Sequence, residues 1–394
     1  KNCFDFQSAL VEKALYRGRS ALFADCGLGK TIMQLDWANN ITKHNNKPTL
    51  ILTPLAVSGQ TIQEAAKFDI DAGGIGSGNI EVVNYEQLHK LDIDNYGGIV
   101  LDESSIIKNF NGKLKQLIFD KFKSYQYKLA CTATPSPNDV MELGNHSEFI
   151  SDMSRLEVFS RYFVHDGGET SKWRLKRHAE GEFWQYVSTW ADVITKPSDL
   201  GFNDDNFILP KLNINEHVID YYNKTSLFPE AAVSATNFNQ TLRLTKDDRI
   251  KKTLELTDNK QPAIVWVKHN DESTELANSI DGAIEVTGCM DNDKKEKLLL
   301  GFAKNEFRVL VTKPKIAQYG LNYQNCNNQV FCSLDFSFEG LYQAIRRSYR
   351  FGQKKPVNIH LITTSNMINV LQSIKRKEKQ FTNMQQNIKQ YAKL

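Results

Sequence analysis

The sequence predicts an α/β protein of two lobes, each built on a parallel sheet, with a mostly helical insertion. Three observations predict it. Short apolar runs alternate with helical stretches twice over, a pattern that builds a parallel sheet with helices on both faces. The chain of 394 residues suits two or three domains at about 100–200 residues each. Its apolar share of 41% and charged share of 24% are ordinary for packed globular domains.

The first set of strand-like runs, at 20–24, 49–53, 81–84, 98–102 and 128–132, falls within residues 1–150. The second set, at 213–218, 263–267, 283–286, 309–312, 329–332 and 358–362, falls within residues 210–373 and begins after Leu209-Pro210. Residues 151–209 separate them. This stretch holds Trp173, Trp184 and Trp190 among Arg174, Lys176, Arg177 and His178, and breaks at Lys196-Pro197-Ser198-Asp199; it is expected to be the helical insertion. Residues 223–249 are weakly patterned and are expected to form a mobile connector. Residues 374–394, rich in Lys and Gln, predict an exposed helical tail.

The net charge of +3 is nearly balanced, so nucleic-acid contact would need a local basic surface. Six cysteines (Cys3, Cys26, Cys131, Cys289, Cys326 and Cys332) lack zinc-knuckle spacing and are too few for a disulfide framework. They read as free thiols of a reducing compartment. No apolar run reaches about 18 residues, so no transmembrane helix and no membrane partner are expected. The first ten residues lack a signal-peptide core.

The sharpest local signal is Ala24-Asp25-Cys26-Gly27-Leu28-Gly29-Lys30-Thr31, between a strand-like run and a helical one. Strand, glycine turn and helix start make an anion cradle of backbone N–H groups and helix dipole. Lys30 is placed to bind β- and γ-phosphates and the Thr31 hydroxyl to ligate Mg²⁺. The strict pattern begins with Gly, where this chain has Ala24; a chance Gly-rich turn is the bland alternative. Ile99-Val100-Leu101-Asp102-Glu103 is an apolar strand ending in two carboxylates. Ligands sit at the carboxyl ends of parallel strands. Asp102 would hold Mg²⁺ through water and Glu103 would orient and deprotonate the attacking water. Alone, such an end is more often a solvated cap.

Gln343, Arg347 and Arg350 fall at i, i+4 and i+7 of a helical pattern ending in Gly352, and so are expected on one face. Paired arginines are often a solvated stripe. Their functional reading is as arginine fingers that stabilise transition-state charge at a γ-phosphate, making hydrolysis depend on closure of the lobes.

In order along the chain, these motifs resemble those of superfamily 2 helicases and translocases, DEAD/DEAH-box-related, and most of all the Swi/Snf-like branch in its compact phage or bacterial form. The resemblance implies tandem RecA-like P-loop domains, ATP and Mg²⁺ as cofactors, and a cytoplasmic setting in a bacterium or phage-infected cell. Phe4-Asp5-Phe6-Gln7 resembles the adenine-reading motif, with Gln7 on the base. Asp25, Cys26, Gly27, Leu28, Gly29, Lys30 and Thr31 are motif I, and Asp102 and Glu103 open motif II. Cys131-Thr132-Ala133-Thr134-Pro135 resembles motif III, which implies coupling roles for Thr132 and Thr134. Gln318-Tyr319-Gly320-Leu321-Asn322 resembles motif V, which implies ATP contact at Gly320 and coupling at Asn322. Arg346 to Gln353, with Gln343, resembles motif VI. For nucleic acid the resemblance implies Thr53, Pro54 and Gln60 near motif Ia, Asn84 and Tyr85 at motif Ib, Lys108 and Asn109 after motif II, and Lys313 and Lys315 before motif V. Ser105 stands where the family has His or Asp.

The expected function is an ATP-driven, monomeric translocase on DNA, duplex in the first place, with RNA as the alternative track. A strand-separating helicase is the neighbouring reading. A nucleic-acid scaffold with a degenerate ATPase is weakened by the intact Lys30, Thr31, Asp102, Glu103, Arg347 and Arg350. A P-loop kinase has no need for a second lobe carrying those arginines.

Overall fold

A computed structural model describes residues 3–55, 57–109, 112–151, 153–166, 169–221, 233–234, 237–319 and 322–392. The chain divides into two compact units, residues 1–207 with 379–394, and residues 208–378.

In the first unit the strands are β1 (Arg19–Ala24), β2 (Thr49–Thr53), β3 (Ala72–Gly73), β4 (Ile80–Asn84), β5 (Gly98–Asp102), β6 (Lys128–Cys131), β7 (Phe163–Asp166), β8 (Glu169–Leu175) and β9 (Ala191–Ile194). Its helices are α1 (Asp5–Arg17), α2 (Lys30–Asn45), α3 (Ser58–Lys67), α4 (Lys113–Phe122), α5 (Leu143–Ile150), α6 (Arg155–Tyr162) and α7 (Glu180–Trp190). The seven-stranded sheet has the order β3-β4-β2-β5-β6-β1-β9, and its pairings are parallel. Sheets covered on both faces need continuous apolar strands. Leu50, Ile51, Leu52, Ile99, Val100 and Leu101 accordingly have no exposed surface, and each such burial contributes about 1.5–3 kcal/mol.

The second unit holds β10 (Leu212–Ile219), β11 (Ala263–Trp266), β12 (Ala283–Val286), β13 (Val309–Thr312), β14 (Asn328–Phe331) and β15 (Val357–Thr364). These form a six-stranded parallel sheet in the order β10-β15-β14-β11-β13-β12. Around it run α8 (Phe238–Leu244), α9 (Lys246–Thr257), α10 (Asn270–Ser279), α11 (Asn292–Ala303), α12 (Phe338–Ile345) and the start of α13 (Ile368–Tyr391). Two parallel-sheet α/β units thus match the expected tandem architecture, and each expected strand is present within a residue or two of its ends.

Four expectations change in detail. Residues 151–209 do supply helices α6 and α7, but also the antiparallel hairpin β7–β8, which contains Trp173. They supply β9 too, the edge strand beside β1. Its four residues follow α7 without Gly or Pro to mark the change, and the basic residues of β8 mask its alternation. Within residues 223–249, expected to form a connector, 238–244 form α8 and 246–249 begin α9. The tail is not an exposed helix throughout: Ile374, Phe381, Met384 and Ile388 are buried, a stripe at helical spacing. Within the first unit Lys389 of this tail pairs with Asp199 at 2.7 Å. All six cysteines are free thiols. No helix among the described residues is long and apolar enough to cross a membrane.

Candidate nucleotide site

The phosphate loop leaves β1 between two neighbours, β6 and β9. The Asp25 N–H donates to the Ile194 carbonyl of β9 at 2.9 Å, so the insertion anchors the start of the loop. Gly27 and Gly29 take φ of 91° and 78°, the left-handed region that glycine enters without a Cβ penalty. Gly29 is the N-cap of α2 and offers no side chain to its first amides. Those N–H groups have no intrahelical acceptor, and with the helix dipole they favour an anion. A Cβ at Gly29 would stand 2.3 Å from Gln7 Nε2. Gln7 is buried. Its Nε2 donates to the Leu28 carbonyl at 2.8 Å, and its Oε1 accepts from Phe4 N–H at 2.9 Å. The first helix is thereby tied to the phosphate loop.

Lys30 Nζ donates to the Ala24 carbonyl at 3.1 Å. Burial draws its pKa down, but the anionic character of Cys26, Glu103, Asp102 and Asp25 outweighs burial and raises it. Cys26 N–H donates to Asp25 Oδ1 at 2.6 Å. Thr31 is half-buried in the first turn of α2. One turn on from Lys30, Gln34 Nε2 donates to Asp102 Oδ1 at 2.7 Å. The sequence reading missed Gln34, although its i+4 spacing from Lys30 was a usable signal.

Asp102 ends β5 and is buried. Desolvation, then the neighbouring charge of Glu103, push it up to about 6, against the Gln34 hydrogen bond and Lys30. A desolvated carboxylate under such pressure is suited to a cation, which fits the expected Mg²⁺. Glu103 adopts φ 48° and ψ 52°. A non-glycine residue held there costs of order 1–3 kcal/mol and clusters at functional sites. Thr132 Oγ1 donates to Glu103 Oε2 at 3.3 Å and accepts from Thr134 N–H at 3.1 Å. Motifs I, II and III therefore converge at the carboxyl ends of β1, β5 and β6.

The nucleic-acid candidates of this unit fare unevenly. Tyr85 is 1% exposed, and its hydroxyl donates to the Asp102 carbonyl at 2.6 Å. Its ring is a support under motif II and is not available to a nucleic-acid strand. Thr53 is wholly buried, which also withdraws its side chain. Asn84 is 8% exposed, and its Oδ1 caps the following turn by accepting from Gln87 N–H at 3.1 Å. Pro54, Gln60 and Lys108 are half-buried and Asn109 is exposed.

In the second unit, Gln343 lies on α12, which ends at Ile345. Arg347 and Arg350 follow in irregular turns, so the shared helical face does not exist as expected. Beyond these turns Gly352 takes φ 89°. Gln353 Nε2 donates to the carbonyls of Gln324, Cys326 and Ser348. Arg350 Nη1 donates to Asn322 Oδ1, joining the expected finger to the expected coupling residue. Tyr323 N–H donates to the Arg347 carbonyl at 2.8 Å. The Arg346 guanidinium lies over the rings of Tyr342 and Tyr349. Lys313 is half-buried and Lys315 exposed. Gly320 lies outside the described residues.

Residues 245–352 match the helicase conserved C-terminal domain family. The chain is 28% identical over 209 residues to the putative protein p41 of Acyrthosiphon pisum secondary endosymbiont phage 1, across 45% of this chain and 44% of that protein. It is 35% identical over 94 residues to the bifunctional helicase and thymine dioxygenase JBP2 of Leishmania braziliensis, across 23% of this chain and 9% of that one. These matches span less than half the length of either relative. Among solved structures, the Sulfolobus solfataricus SWI2/SNF2 ATPase core in complex with dsDNA has a TM-score of 0.46 and 18% identity, across 98% of this chain and 93% of that one.

Proposed function

We propose that this chain is a helicase-type ATPase of superfamily 2 with Swi/Snf-like motifs, a motor that translocates on duplex DNA; the helicase C-terminal match over residues 245–352 supports the reading. The observation that carries the reading is the convergence of Lys30, Asp102, Glu103 and Thr132 around an uncapped helix start. Binding falls to the amides of 25–31 and to Lys30, which hold the phosphates, with Gln7 beside the base. Thr31 and Asp102 would hold Mg²⁺, which when bound supplies charge neutralisation at the β- and γ-phosphates. Glu103 takes the proton of the attacking water, and Thr132 of motif III passes its state on to Thr134. Arg347 and Arg350 complete the charge stabilisation when the units close, so that each turnover drives a step. The track is gripped through its phosphates, which positions the motor without reading sequence. Pro54, Gln60, Lys108, Asn109, Lys313 and Lys315 remain the side chains with surface to offer. The motor acts as a monomer in a bacterial or phage-infected cytoplasm.

A strand-separating helicase on DNA or RNA is the second reading. The hairpin β7–β8 favours it, because an antiparallel hairpin is an element that could wedge between paired strands.

The deciding measurement is the ATPase rate with no nucleic acid, single-stranded DNA, duplex DNA and RNA. Duplex DNA is expected to stimulate most, with an affinity that falls steeply as salt rises through counterion release. Stimulation by single strands alone would favour the second reading, and no hydrolysis under any condition would sink both.

A further inference from the structure

The family resemblance leaves a gap at Ser105, where a His or Asp is usual. The structure places an imidazole next to that gap from a different element. His146 of α5 has no exposed surface, and its Nε2 lies 3.0 Å from Ser104 Oγ. Its ring meets Phe23 of β1 edge-on, with centroids 5.3 Å apart. The preceding residue reaches the same turn: Asn145 Nδ2 donates to the carbonyls of Ile107 and Lys108 at 2.8 and 2.9 Å. Asn145 is held in turn by Lys115 Nζ, which donates to its Oδ1 at 2.9 Å. Ser104, Ser105 and Ile107 are buried. Two consecutive residues of one short helix thus grip both ends of the turn that follows Glu103.

We propose that His146, assisted by Asn145, is a positioning residue for ATP hydrolysis, fixing the turn after Glu103 through Ser104 and thereby aiming the Glu103 carboxylate. A left-handed residue such as Glu103 keeps its conformation only where its surroundings over-determine it. The grip on Ser104, Ile107 and Lys108 supplies that constraint from an element separate from the one that carries Thr132. Burial lowers the pKa of His146 to about 4, so the ring stays neutral at working pH and its contact with Ser104 does not titrate there. The inference rests on ATP hydrolysis at the site described above.

The test uses the full chain with saturating nucleic acid. His146→Phe keeps a ring in the cavity and removes the nitrogen; Ser104→Ala removes the other partner and leaves the imidazole in place. Each should lower kcat about tenfold or more, as small misplacements of a catalytic group do, with KM for ATP changed less than about threefold. The double variant should be no slower than the worse single one, since contacting residues are non-additive. His146→Asn, which can still reach a hydroxyl, should recover some of the rate. Losses that multiply in the double variant, or a normal kcat in Ser104→Ala, overturn the proposal. If His146→Phe fails to fold, the Ser104→Ala result decides alone. If wild type hydrolyses ATP and Lys30→Ala does not, while these variants are unimpaired, the ATP site stands and only the positioning role falls.

Discussion

Each unit holds a cluster of opposite charges around a buried carboxylate, Asp102 in the first and Glu272 in the second, and the two clusters are built to opposite ends. In the second unit Arg249 and Glu272 are 0% and 1% exposed and 2.5 Å apart. Arg249 also donates to Thr245 Oγ1 and to the carbonyls of Leu242 and Cys332. The other Glu272 oxygen accepts from Ser333 Oγ and from the N–H groups of Lys268 and His269. That pair is closed on itself, and its hydrogen bonds offset the cost of burying charge. In the first unit Lys30, Asp102 and Glu103 crowd together beside the uncapped start of α2. Asp102 is pushed up to about 6, and Glu103 is held in a left-handed conformation. The same residue chemistry therefore stabilises structure where every atom has a partner, and prepares for a ligand where charge is left in excess.

The contrast can be broken most sharply at Lys30. Lys30→Ala is expected to cut ATP hydrolysis about a thousandfold, the upper range for losing one preorganised charge donor. Near-normal turnover would remove the phosphate assignment. Glu103→Gln should slow hydrolysis by about 100-fold or more, the range for a general base. Nucleotide affinity in that variant, read with a fluorescent ATP analogue, should stay close to wild type. On the other side of the comparison, Arg249→Met should lower the melting temperature by about 10 °C, because breaking a buried pair costs about 3–5 kcal/mol. Adding Glu272→Leu should recover most of that loss. If the double variant melts as low as the single one, the pair is not the self-contained unit described.

The smallest effect concerns pH. The folded pKa of Asp102 lies above its ordinary 3.8, so its contribution to stability is fully present below about 3.8 and is lost as pH rises through about 6. A rise of that size corresponds to about 2–3 kcal/mol. Asp102→Asn should therefore raise the melting temperature of the nucleotide-free protein at pH 8, and the gain should shrink at pH 5. A gain of equal size at both pH values would show that charge is not what destabilises Asp102.

Legibility in the sequence followed locality. The phosphate loop lies in eight consecutive residues, and the central strands β2, β5, β11 and β13 announced themselves as apolar runs because each is buried on both faces. What stayed hidden depends on neighbours distant in sequence. Tyr85 looked like a surface contact until β4 and β5 brought its hydroxyl to the Asp102 carbonyl. Thr53 looked polar and available, yet the sheet buries it. β9 could not be read because a four-residue apolar run after a helix reads as more helix, and only its pairing with β1 makes it a strand. His146 had no local pattern at all; its meaning comes from Ser104, 42 residues earlier in the chain. The motif VI helix erred in the other direction: the i, i+4, i+7 pattern was present, but α12 ends at Ile345, before Arg347.

Residues 379–394 belong to the first unit although the whole second unit precedes them in the chain. On a ribosome adding about 5–20 residues per second, roughly 10–40 s separate synthesis of β9 from synthesis of the final helix. Throughout that interval the first unit lacks Phe381, Met384 and Ile388, and Asp199 lacks Lys389. Its folding cannot finish in N-to-C order, and the second unit has time to fold before the first is completed. An incomplete first unit is also open to the tail of another copy, so domain-swapped dimers are the characteristic error expected when this chain is refolded at high concentration.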